Sequence, residues 1–149
     1  MPPLRETIRT TLAGDATLTA LLPGGIFDAD TLPQDGGGAA SAPRTADGVR
    51  INPFGIVRWR GANRAQVEVL GRSDYTETVE VYLYQDIGQD VLEQATTRIQ
   101  TLLHNQYLPS VTDRGLAHFI QTFVSGELPA EEFGNAACRF IRFQVVSIR

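Results

Sequence analysis

From Thr78 to Tyr84 the chain alternates without a break, with Val79, Val81 and Leu83 on one side and Thr78, Glu80, Tyr82 and Tyr84 on the other. Successive side chains of a strand project to opposite faces, so this segment has one apolar face that must be covered and one polar face that meets water or a partner. The end of the chain repeats the pattern: Ile141, Phe143 and Val145 share one face, Arg142 and Gln144 the other. A sheet that is apolar on one side needs a second layer there, and helices are the usual cover.

The chain supplies those helices. Leu4, Ile8 and Leu12 fall on one helical stripe that Gly14 ends, and Asp15 is placed to cap a second short helix carrying Leu18, Leu21 and Leu22. The longest helix begins near Asp90, where Asp90 and Glu93 have the spacing of a capping box, and it ends by Pro109. Its apolar stripe is Val91, Leu92, Ala95, Ile99, Leu102 and Leu103. Burying the five large members is worth roughly 8–15 kcal/mol gross at about 1.5–3 kcal/mol each, before chain entropy is subtracted. Strands are expected at Ile26 and Phe27 and over residues 54–60, 65–70, 76–84, 116–124 and 138–148. Gly71-Arg72-Ser73-Asp74 reads as a hairpin turn that pairs its flanking strands antiparallel. The expected fold class is α+β, a mainly antiparallel sheet with helices packed on one face, in a single domain spanning 1–149.

Residues 28–50 have a different character, with Pro33, Gly36, Gly37, Gly38, Pro43 and Gly48 and few large apolar groups. Such a segment cannot repay the entropy of its own ordering, so a mobile loop is expected in the isolated subunit, ordered by a partner if at all.

The chemistry excluded is as informative. All 13 basic residues are arginine. Without lysine there is no Walker-type phosphate loop and no Schiff-base enzyme. Cys138 is the single cysteine and precedes an apolar strand, so it reads as a buried thiol; with His104 and His118 alone beside it, a four-ligand zinc site is not built. Asp28 and Asp30 fit a turn better than a metal pair, and neither histidine has a nucleophile or carboxylate partner by motif. No enzyme and no cofactor are expected. The net charge of −4 argues against general nucleic-acid affinity. No apolar run nears the roughly 18 residues of a membrane span, and Arg5, Glu6 and Arg9 open a helix where a signal peptide would have its apolar core, so cytoplasmic synthesis is expected.

One basic cluster stands out. Strand alternation places Arg58 and Arg60 on one face, with Arg64 following, and puts Val57 and Trp59 on the core side. Three readings of these arginines remain open: a solvated strand face, a protein interface and a nucleic-acid contact.

The order of elements resembles the tail terminator (tail-completion) proteins of long-tailed bacteriophages. The residues that carry the resemblance are the helix of Leu4 to Leu12, the stretch from Gly14 through Leu21-Leu22-Pro23-Gly24-Gly25-Ile26-Phe27 to Asp28, the strand of Val79 to Tyr84 leading into a helix of Val91 to Leu108, and the final strand of Phe140 to Val146. The resemblance implies a structural virion protein at the head–tail junction, assembled in the host cytoplasm. It implies a homohexameric ring that caps the head-proximal end of the tail tube, ends tube polymerisation and joins the tail to the neck. The implied partners are other copies of the chain, the tail tube protein and a neck or stopper protein; the genome would pass through the lumen without sequence-specific contact. On this reading Arg58, Arg60 and Arg64, with Gly36, Gly37, Gly38 and Arg44 of the loop, face a neighbouring subunit or the tube. The alternatives are a head-side stopper or head–tail connector, and an unrelated soluble binding module.

Overall fold

The computed structural model describes residues 4–28, 42–45, 50–69, 72–110, 115–130 and 136–148. Its elements are α1 (Leu4–Ala13), α2 (Ala16–Leu21), β1 (Gly25–Asp28), β2 (Phe54–Val69), β3 (Arg72–Gln85), α3 (Asp90–Leu103), β4 (Tyr107–Ser110), β5 (Gly115–Val124), β6 (Leu128–Ala130) and β7 (Ala136–Ile148). The sheet runs β1-β2-β3-β7-β5-β4, and β6 pairs with β7. β1 lies parallel to β2, and every other pairing is antiparallel. This is the α+β architecture that the one-sided strands required.

All three helices cover one face. Ile8 and Leu12 from α1, Leu18 from α2, Leu22 just after it, and Leu92, Ala95, Ile99 and Leu103 from α3 are buried against Val57, Val79, Val81, Phe119, Ile141, Phe143 and Val145. Trp59 packs partly buried against the same core, as its parity required. The α2 cap forms as expected: Asp15 accepts a 2.9 Å hydrogen bond from the Leu18 amide. Gly24 lets the turn after α2 press onto the start of β2, since a Cβ there would sit 2.9 Å from the Asn52 and Pro53 carbonyl oxygens.

Several expectations are corrected. The two strands foreseen over 54–60 and 65–70 are one continuous β2, whose register with β3 slips between Arg60 and Ala62 and again between Asn63 and Val67, so irregular pairing absorbs Gly61 and its neighbours without a break. The hairpin turn is shorter than expected, because Arg72 already pairs with Val69. The capping box is absent: Gln89 holds the N-cap position of α3, with no side-chain cap bond, and Asp90 is the first helical residue. The helix stops at Leu103, where Asn105 turns with φ +59 and Tyr107–Ser110 becomes an edge strand. Pro109 is tolerated there because an edge strand needs no donor on its outer side. β6, inside an expected loop, continues along the flank of β7 that β5 leaves after Val124.

The polar face of the sheet is half-covered as well. Phe54, Ile56, Tyr84, Cys138 and Ala136 form a second, smaller core closed by Ala42 and Ile51. Arg44 bridges Ile51 antiparallel, and the Asn52 amide donates to the Pro43 carbonyl at 2.9 Å. Residues 42–45 therefore depart from the mobile loop expected over 28–50, because Ala42 joins Ile51 in the core built on the Phe54 and Tyr84 rings, which composition alone did not reveal. Cys138 is buried here, consistent with its reading as a packed thiol. Gly36, Gly37 and Gly38 lie outside the described residues.

Candidate interaction surface

Beyond the strip covered by Ala42 and Ile51, the polar face is built on one row of cross-strand neighbours. Arg58 on β2 is in register with Glu80 on β3, and Glu80 is in register with Arg142 on β7. Glu80 is fully buried, at 0 % exposure. Arg142 donates to its Oε2 from both Nε, at 3.1 Å, and Nη2, at 3.0 Å, while remaining 42 % exposed. A buried carboxylate is thus neutralised by an arginine that also faces outward. Losing that arginine would take two charge-assisted hydrogen bonds from a buried carboxylate.

Aromatic rings run beside this row. Phe54 stacks on Tyr84 with centroids 4.9 Å apart, Tyr84 lies 6.4 Å from Tyr82, Tyr82 stacks on Phe140 at 4.9 Å, and Phe140 meets Phe123 at 5.5 Å. The guanidiniums are bedded on this ladder. Arg58 sits 5.0 Å above the Tyr82 ring and donates to the Tyr84 hydroxyl at 3.4 Å; Arg142 lies 5.5 Å from the Phe123 centroid and 5.7 Å from that of Phe140. Stacked guanidiniums keep their charge and lose little freedom on binding, which suits contact with carboxylates and apolar groups of another protein.

A bulge brings Phe123 to this surface. Gln121 pairs with Phe143, but the next pair is Phe123 with Arg142, so Thr122 is the extra residue and the parity of β5 reverses. Without the slip Phe123 would point toward the helices. Sequence alternation alone would not have placed it beside Arg142, and no residue type in the segment announces a bulge. Glu80, Tyr82, Phe140 and Arg142 lay on the polar faces of their strands by parity, but sequence reasoning did not bring the strands together. The cue that could have joined them is the match of an acidic and a basic residue at polar positions of two well-patterned strands.

Of the arginines singled out from sequence, Arg58 lies in this row. Arg60 pairs with Thr78 through its backbone and Arg64 falls in the irregular part of β2; their side chains lie outside the described residues. Arg44 is exposed on the covering strip. Arg44 is paired with Ile51 and Arg58 with Glu80, so the two arginines sit on different parts of this face.

The histidines serve local structure. His104 Nδ1 accepts from the Gln121 amide at 3.0 Å, and His118 Nε2 is 2.8 Å from Asn105 Oδ1 with its ring stacked on Tyr107. Among the described residues no group of three or more His, Cys, Asp or Glu side chains is placed to hold a metal. What this face offers is donors, aromatic rings and a partly open arginine, the composition of protein interface hot spots.

The fold is shared with a virion chain. A chain from the virion of a native gene transfer agent (GTA) particle superposes with a TM-score of 0.67 over 99 % of this chain and 96 % of that one, at 15 % sequence identity. At that identity the likeness is one of fold. No family model matches the sequence, and no curated protein matches it. The match spans nearly the whole of both chains.

Proposed function

We propose that this chain is a structural virion protein, a subunit of a ring that caps the head-proximal end of a phage tail tube, ends tube polymerisation and joins the tail to the neck. The observation that carries the reading is the near-complete fold likeness to a chain of a GTA virion. It converges with the resemblance of the element order to tail terminators and with a sheet face built from Arg58, Arg142, Tyr82, Phe123 and Phe140. The role is assembly, without catalysis and without a cofactor. The partners are further copies of the chain, the tail tube protein and a neck or stopper protein. Arg58, Arg60 and Arg64, together with Arg44 and the segment of Gly36 to Gly38, are assigned to contacts with a neighbouring subunit or the tube.

Immunogold electron microscopy of particles released from cells expressing the gene tests this reading. A single band of label at the head–tail junction is the expected result. Label on the capsid side of the neck would move the chain to a stopper or connector, and particles without label would overturn the virion assignment.

A further inference from the structure

At the end of the sheet where β3 passes into α3, the turn Asp86-Ile87-Gly88 holds an isoleucine out in solvent at 84 % exposure. The turn is braced from below. The buried Gln85 donates from Nε2 to the Ile87 carbonyl at 2.7 Å and to Asp90 Oδ1 at 3.0 Å, while its Oε1 accepts from the Leu92 amide at 3.2 Å. Gly88 takes φ +87, which a residue with a side chain adopts only under strain. An exposed apolar group fixed this way loses little freedom when it is covered. Asp86 and Glu127 line the concavity beside Ile87 and Asp90 follows at the helix start, while Arg139, bonded to Gln89 of the same concavity, is paired with Glu93.

The polar sheet face has the opposite character. A groove of about 450 Å³ is lined by Thr78, Glu80, Tyr82, Phe140 and Arg142, and Phe123, at 46 % exposure, stands beside Phe140 and Arg142. Arg142 uses Nε and Nη2 on Glu80; its Nη1 has no hydrogen-bond partner among the described residues, and neither has the Asp86 carboxylate. One molecule thus presents an apolar knob flanked by acids and, elsewhere, an aromatic groove flanked by arginine.

We infer that the Asp86-Ile87-Gly88 turn of one copy docks on the Phe123, Phe140 and Arg142 face of a second copy of this chain. Ile87 enters against the aromatic rings and Asp86 meets the open side of the Arg142 guanidinium, a charge-assisted contact at the edge of an apolar one. The two patches are unlike, so the contact is heterologous, and each docked copy still offers the other half of the pair. The inference rests on the proposed role as a self-assembling subunit and names the surfaces that meet.

The test uses purified full-length chain. Ile87→Cys and Phe123→Cys proteins, distinguished by tag size, are mixed and oxidised, and Thr19→Cys on α2 replaces one partner as control. All three positions are exposed, and circular dichroism verifies each fold. The expected result is a mixed 87–123 disulfide forming at least tenfold faster than either control pair, and slowed to the control rate by adding Arg142→Gln to the Phe123→Cys chain. Mixed cross-linking no faster than the Thr19 controls overturns the inference. A labelled head–tail junction without the 87–123 cross-link would sink this contact and leave the virion role standing; the cross-link with unlabelled particles would do the reverse.

Discussion

Asp15 and Arg98, 83 residues apart, are joined by two hydrogen bonds: Nε of Arg98 donates to Oδ2 at 2.9 Å and Nη2 to Oδ1 at 2.6 Å. The same carboxylate caps α2 through the Leu18 amide, so one side chain fixes the start of α2 and ties it to the middle of α3. The Arg98 bonds and then the Leu18 amide hold its pKa down at about 2. Because the folded pKa lies below the unfolded value of about 3.9, the contribution is fully present above pH 4 and is lost as pH falls toward 2. Asp15→Asn should therefore be less stable than the parent at pH 7, with the difference shrinking between pH 4 and pH 2. Thermal melts at pH 7, 4 and 2.5 check this; a difference independent of pH would mean that the ionised pair contributes nothing beyond the cap.

Arg142→Ala removes two charge-assisted hydrogen bonds from the buried Glu80 carboxylate. Removing one partner of a buried ion pair costs up to about 3–5 kcal/mol, and since Arg142 is itself 42 % exposed water partly replaces it, giving about 2 kcal/mol. Glu80→Gln combined with Arg142→Gln should recover more than half of that loss, because neither side chain is then charged. Urea unfolding of the two variants measures both values. Equal losses would show that the aromatic contacts of Arg142 matter more than its charge.

Ile51→Ala should cost about 2–4 kcal/mol, the usual range for emptying a buried isoleucine site. Ile51 closes the second core with Phe54, Ile56 and Tyr84, so the loss is expected in the isolated chain, without any partner. A variant as stable as its parent would mean that the strip is not packed on the sheet in the free subunit.

Arg58→Ala with Arg60→Ala bears on the assembly role. Cation–π contacts such as that of Arg58 on Tyr82 are worth about 0.5–2 kcal/mol, so the double variant should fold. Infectious-particle yield and tail length are the readouts, and a fall in yield of at least tenfold is expected. Normal particles with normal tails would remove these arginines from the assembly surface.

The central strands were legible because their alternation is strict: Val79, Val81 and Leu83, and Ile141, Phe143 and Val145, lie on the helix-facing side as their spacing required. The three helices were legible from apolar stripes at helical spacing, such as Ile8 with Leu12 and Leu92 with Ala95, Ile99 and Leu103. What local pattern could not carry was anything set by pairing between distant strands. Glu80 was read only as a polar-face residue, yet it is buried between Arg58 and Arg142, both remote in sequence. Phe123 reached the surface through a bulge, which reverses parity without any marker residue. Residues 42–45 carried too little apolar surface to signal that Ala42 joins the core of Phe54 and Tyr84.

The start of α3 shows the same limit and supports a last prediction. Asp90 and Glu93 have capping-box spacing, but the group that serves the first turn is Gln85, outside the helix, whose Oε1 accepts from the Leu92 amide. A side chain arriving from the preceding strand satisfies the donor that a local cap would have taken. Gln85→Ala removes that bond and the two from Nε2, leaving the buried Leu92 amide unpaired at about 1–3 kcal/mol. It also frees the Ile87 turn, so the proposed knob would have to be ordered on docking. The variant should thus lose stability in urea and, at temperatures where it remains folded, slow the 87–123 cross-link several-fold. If stability fell while the cross-linking rate held, the turn would be shown to keep its shape without Gln85, through Gly88 and the helix start alone.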